Sequence, residues 1–171
     1  MLFYMKFTAK IENFNSPLWG HHITVSKEIT QAFVIGNDRR VCCEINEKFT
    51  FQCALMPHGD GDFFINLNKE LRKKLSLEEG MEISISLTKD TSEYGLPMPE
   101  ELQELLLQDE EGNAVFHSLT LGKQRTLLHL IGKYKSSDVR LSKAIIIINY
   151  LKSVNGKLDF KELNEAFKQG L

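Results

Sequence analysis

The sequence predicts an α+β chain, a small closed β-barrel built from two pseudo-repeated β-β-α-β halves and followed by an all-helical C-terminal segment. Three observations carry this reading. Before residue 90 apolar and polar residues alternate in several short runs, the period of two expected of half-buried strands. Those runs recur forty-two residues apart. After Pro97 and Pro99 the apolar spacing changes to three and four, which is helical.

Phe3, Met5, Phe7 and Ala9 alternate with Tyr4, Lys6, Thr8 and Lys10, so residues 3–11 read as a first strand and not as a signal peptide. Residues 13–20 form a loop punctuated by Ser16-Pro17, and Ser26 is placed to cap a short helix. Residues 36–38 turn the chain into a strand over 39–45, and Asn46-Glu47 makes a tight hairpin into the strand from Lys48. Phe51, Cys53 and Leu55 mark the inward face of that strand. Pro57-His58-Gly59-Asp60-Gly61 then reverses the chain, because proline lacks a ladder donor and glycine accepts positive φ. Residues 63–67 resume the extended pattern, Asn68 caps a short helix carrying Leu71 and Leu75, and Gly80 leads into a strand with Ile83, Ile85 and Leu87 inward.

Sliding the sequence on itself by forty-two residues lays Lys6-Phe7-Thr8 over Lys48-Phe49-Thr50 and Ile23, Lys27 and Glu28 over Ile65, Lys69 and Glu70. Val41, Cys43 and Ile45 then fall over Ile83, Ile85 and Leu87 without a gap. This reads as a duplicated half, residues 6–45 and 48–87, packed about a pseudo-twofold axis and closing into a barrel over residues 1–90. Residues 91–98 are the linker, and residues 99–171 the helical segment.

Pro99 suits a helix start, with Glu100, Glu101 and Glu104 near the positive end of the dipole and Leu102, Leu105 and Leu106 as the apolar stripe. From Gly112 a short segment with Val115 and Phe116 leads to Thr120, which caps a helix bearing Leu127, Leu128 and Ile131. Ser136 or Ser137 starts the next helix. Its four consecutive isoleucines, 145–148, equally suit a strand, and the helical flanks decide for helix. Asp159 caps a last helix with Phe160, Leu163 and Phe167.

With 42% hydrophobic and 26% charged residues in 171, the chain has the composition of a folded domain and not of a disordered one. Cys42, Cys43 and Cys53 show no C-x-x-C spacing, which points to reduced thiols, no metal and no cofactor. The longest apolar run, residues 144–148, is too short to span a bilayer, so a cytoplasmic protein is expected.

Ligand-binding candidates gather around the turn: Trp19, His58, Asp60, Asp62 and Arg72. A histidine near two carboxylates can do general acid–base work, although the turn reads first as solvated and Trp19 first as a packed plug. Charge divides the second half. Residues 93–111 hold seven acids and no base, whereas residues 112–157 hold eight bases and one acid, Asp138. Arg125, Lys135, Arg140 and Lys143 are therefore candidates for an anionic small molecule or a protein partner, against the competing reading that acidic and basic helices lie side by side and cancel. Arg72, Lys73 and Lys74 could meet phosphates, but residues 1–90 carry 11 bases and 12 acids, which disfavours nucleic acid. No nucleophile, base and orienter set is visible. The reading is a non-enzymatic binding or stress-protection module of unestablished activity, with the helical half as its interaction surface. Small-molecule binding or catalysis around His58 and nucleic-acid binding by the barrel are the alternatives.

Leu55-Met56-Pro57-His58-Gly59-Asp60-Gly61, Asn68-Lys69, Arg72-Lys73 and Gly80 resemble the barrel-like domain of unknown function that precedes the helical segment of the bacterial YdeI/OmpD-associated, or bacteriocin-protection, family. Leu96-Pro97-Met98-Pro99-Glu100-Glu101-Leu102, Phe116, Leu119, Lys123, Arg125, Ile131 and Lys135 look like its helical module. The resemblance implies a barrel plus helices without an established activity. The family's Thr-Arg pair with a second arginine three residues on is here Val139, Arg140 and Lys143, and lysine lacks the planar fork of arginine. Residues 69–75 with Gly80 also look like swapped-hairpin DNA-binding regulators.

Overall fold

A computed structural model describes residues 3–170. The chain divides into two units, Met1–Thr91 and Ser92–Leu171.

The first unit holds two four-stranded antiparallel sheets. One orders β1 (Tyr4–Lys10), β8 (Glu82–Lys89), β4 (Arg40–Ile45) and β5 (Phe49–Ala54) as β1-β8-β4-β5. The other orders β2 (Glu12–Asn13), β3 (His21–Val25), β7 (Asp62–Asn66) and β6 (Met56–Gly59) as β2-β3-β7-β6. Phe7 pairs with Ile85, Cys43 with Leu87 and Ile23 with Ile65. The alternating apolar residues named from sequence supply the core: Ile23, Val41, Cys43, Ile45, Leu55, Ile65, Ile83, Ile85 and Leu87 are buried together. A hydrogen bond with Cys53 and burial push the Cys43 thiol well above its ordinary value, which keeps it a neutral thiol within the core.

The expected closed barrel is not what forms. Both sheets are open, with β1 and β5 as the edges of the first and β2 and β6 as the edges of the second. The chain leaves the first sheet for the second at two buried residues, Ile11 and Leu55. Their amides bond outside the strands, Ile11 N to Met81 O at 2.8 Å and Leu55 N to Arg39 O at 2.9 Å. The strand read through Leu55 thus passes into β6 on the other sheet, β2 forms where the strand read over residues 3–11 gives way to an expected loop, and among the described residues no ladder runs around a ring. Pro57 falls within β6 and not in the turn, which an edge strand tolerates because a missing donor there breaks no central ladder. The reversal itself is confined to Gly59, Asp60 and Gly61, whose φ values of 96°, 53° and 86° are left-handed.

Two short helices follow β3 and β7: α1 (Lys27–Thr30) and α2 (Lys69–Leu75). Asn68 caps α2 as expected, its Oδ1 accepting from Leu71 N at 2.8 Å. Ser26 makes no side-chain cap; Asp62 from β7 takes that part, accepting from Lys27 N at 2.9 Å.

The second unit contains five helices among the described residues: α3 (Glu100–Gln108), α4 (Glu110–His117), α5 (Leu121–Gly132), α6 (Ser137–Ser153) and α7 (Phe160–Gln169). The isoleucine run is helical because Ala144, Ile147, Ile148 and Leu151 form a stripe at spacing three and four, buried against Leu102, Phe116, Leu127, Ile131 and Leu163. Thr120, Ser136 and Asp159 cap α5, α6 and α7. The sequence reading leaves residues 109–117 without a helix, and here the structure differs. Asp109, extended at φ −114° and ψ 92°, ends α3 and caps α4 through Gly112 N at 2.8 Å.

Gly112 is where α4 meets α6. A Cβ there would lie 2.5 Å from Ile148 Cγ2 and 2.8 Å from the Asp109 carboxyl carbon. Gly112→Ala should therefore lose about 1–2 kcal/mol in chemical denaturation, because overpacking outweighs the roughly 1 kcal/mol of helix propensity that alanine gains. An unchanged or higher midpoint would show that the two helices do not touch at this residue.

Candidate functional site

In the first unit five rings meet around the second sheet. Phe14 stacks on His22 with centroids 3.6 Å apart and planes 11° apart, and meets His58 and Phe64 edge-on, both at 5.0 Å. Trp19, half-buried, lies edge-on to Phe64 at 5.4 Å, so its ring packs against the second sheet. His22 is only 2% exposed, and its Nδ1 lies 3.0 Å from Gly20 O. A carbonyl only accepts, so Nδ1 carries the proton. Among the described residues its Nε2 is buried without a hydrogen-bond partner.

The turn residues separate from one another chemically. His58 is exposed and contacts rings, Asp60 is exposed in its left-handed turn, and Asp62 is committed to the α1 backbone. Among the described residues no hydrogen bond joins His58 to either carboxylate, so the three do not form an acid–base set. Arg72 donates from Nε to Leu67 O at 3.2 Å, tying α2 back to the residue that precedes its cap. Beside it Lys74 Nζ sits 4.0 Å from the Phe49 ring centre, over a cavity of about 190 Å³ lined by Phe49, Phe51 and Leu71.

In the second unit the candidate bases are engaged separately. Arg140 uses its whole fork: Nε reaches both Glu101 oxygens at 3.1 and 3.0 Å, one terminal nitrogen reaches Glu101 Oε1 at 2.8 Å, and the other reaches Tyr134 O at 2.9 Å and Lys135 O at 2.8 Å. This is the bidentate geometry that suits arginine and carboxylate. Ser137 Oγ adds a donor to Glu101 at 2.6 Å. The Arg140 guanidinium and the Ser137 hydroxyl together hold the Glu101 carboxyl down to about 2. Arg125 donates to Tyr94 O at 2.7 Å, within the expected linker. The Lys143 ammonium lies 4.5 Å from the Phe167 ring centre, and Lys152 pairs with Asp109 at 2.7 Å. Lys135 is exposed. An anion at Arg140 would have to displace Glu101.

One open groove of this unit is acidic. A groove of about 530 Å³ between α3 and α6 is lined by Glu100, Glu101, Glu104, Leu105, Gln108, Ser137 and Leu141. A second cavity of about 280 Å³ continues from Leu141 to Asp138, Ile145 and Ile146. Leu141 and Ile145 are 42% and 40% exposed on the solvent side of α6. Sequence reasoning passed over this face because its apolar residues, one turn apart, look like part of the core stripe beside them. Glu101 and Arg140 are thirty-nine residues apart, and no local spacing announces their pairing. Among the described residues no three His, Cys, Asp or Glu converge to hold a metal ion. No helix among them is long and apolar enough to cross a membrane.

Two outcomes follow from this geometry. The Glu101 carboxyl is depressed in the folded state, so its contribution is complete above its ordinary value of 4.5 and is lost as pH falls towards 2. Unfolding midpoints should fall through that window in the wild type and less steeply in Arg140→Gln; parallel profiles would count against the pair. Asp62→Ala should cost about 1 kcal/mol as a lost helix cap, read by denaturation, whereas unchanged stability would return Asp62 to the ligand candidates.

The comparisons with known proteins agree with these two units. Residues 7–87 match the model of a domain of unknown function, DUF1905, and residues 96–153 match the model described as bacteriocin-protection, YdeI or OmpD-associated. No curated protein and no solved structure matches the chain. The chain belongs to the YdeI/OmpD-associated family, with a DUF1905 domain ahead of its family-defining helices.

Proposed function

We propose that the chain is a non-enzymatic binding module, of the stress-protection kind, whose helical unit presents the interaction surface through the solvent side of α6. The observation that carries this is the pair Leu141 and Ile145, exposed between two grooves although the same helix buries a complete apolar stripe on its other side. Exposed apolar side chains in a groove with a polar rim are a feature of protein-binding sites. The free thiols Cys42, Cys43 and Cys53 fit a reducing, cytoplasmic setting. We further infer that residues 91–98 link a domain of two pseudo-repeats, 6–45 and 48–87, to the helical segment. This is supported by β4 and β8, and by α1 and α2, beginning forty-two residues apart.

A photo-crosslinking residue at Ser142, on the exposed side of α6, tests the proposal in cells that express the full chain. Discrete adducts should form there and disappear when Leu141→Asp is added. Adducts that survive Leu141→Asp, or that form equally from Thr50 in the first unit, would remove α6 as the surface.

A further inference from the structure

We propose that the groove between α3 and α6 receives a basic amphipathic helix of a partner protein, an inference that rests on reading α6 as the interaction face. Three features select this occupant. The floor is apolar, with Leu105 and Leu141 in the larger cavity and Ile145 in its continuation. The walls carry Glu100 and Glu104 on α3 and Asp138 on α6, and among the described residues no lysine, arginine or histidine lines either cavity. The nearest candidate cations are turned to other work, Arg140 in its pair with Glu101 and Lys143 over Phe167. Glu101 is correspondingly neutralised, which leaves Glu100, Glu104 and Asp138 as the carboxylates that a ligand meets.

The dimensions fit a helix. Residues 137–145 of α6 and α3 alongside each rise roughly 12 Å, a little over two helical turns. A partner helix laid there would set apolar residues at spacing three and four onto Leu141 and Ile145, with lysines or arginines on its flanks reaching the carboxylates. A second copy of the chain is a poorer occupant, because a twofold contact through this face would bring like charges together. A small metal ion is poorer still, since Glu101 is already bonded to Arg140 and Ser137.

The test uses the full chain and an 18-residue helical probe of leucine and lysine, with a leucine and glutamate probe as control. The lysine probe should shift the NMR signals of Leu105, Leu141 and Ile145, and the glutamate probe should not. Glu100→Gln with Glu104→Gln, conservative changes at exposed positions, should weaken the lysine probe by roughly tenfold. Unchanged affinity in that double variant, signals shifting only in residues 3–91, or equal binding of both probes would overturn the proposal. So would self-association through this face that the lysine probe fails to compete. Should Leu141→Asp remove the cellular adducts while the two glutamine changes leave them and the lysine probe untouched, α6 stands as the interaction face and the cationic partner falls.

Discussion

The helical unit is organised by one guanidinium. Arg140 sits in the first turn of α6, holds Glu101 of α3 with two nitrogens, and takes the carbonyls of Tyr134 and Lys135 in the turn after α5 with the third. Three elements are thereby fixed around one planar group, and the planarity matters because the single nitrogen of a lysine could not span Glu101 and both carbonyls with a rigid fork. The pair holds Glu101 against α6, and the same helix α3 then presents Glu100, Glu104 and Leu105 beside the open face of α6. The acidic, partly apolar groove is a consequence of that orientation.

A charge pattern that in sequence admits either a basic face or cancelling neighbours is taken up in part within the unit. Arg125 is spent on Tyr94, Lys143 lies over an aromatic ring, and Lys152 is held by the residue that ends one helix and starts the next. Arg140 and Lys152 are paired with carboxylates within the unit, which takes up part of its positive field locally, while Lys135 stays exposed. Among the described residues the charged side chains lining the open side of α3 and α6 are carboxylates. The first unit follows the same economy, for Asp62 and Arg72, both singled out as ligand candidates, bond to backbone and hold α1 and α2 in place.

Much of the fold is legible because its causes are local. Asn68, Thr120, Ser136 and Asp159 cap helices through amides two or three residues away, and alternation at Val41, Cys43 and Ile45 or at Ile83, Ile85 and Leu87 names the inward strand faces. The closed barrel failed for a nonlocal reason. Alternation marks Ile11 and Leu55 as ordinary inward strand residues, although at those residues the backbone exchanges one sheet for another. Helix α4 was missed because Gly112 reads as a breaker, whereas its lack of a side chain admits Ile148. Of the candidate site, Trp19 and His58 were named, but His22, Phe14 and Phe64 were not joined to them, since the stacking that unites them links residues up to fifty apart.

The groove depends on Glu101 and Arg140 acting as one unit. A double-mutant cycle on the full chain, combining Glu101→Gln with Arg140→Gln and read by chemical denaturation, measures this directly. If the pair fastens α3 to α6, the double variant will be scarcely less stable than the worse single variant, because the second change removes a partner that has already lost its interaction. Strictly additive losses would show two independent side chains and contradict the arrangement on which the groove depends.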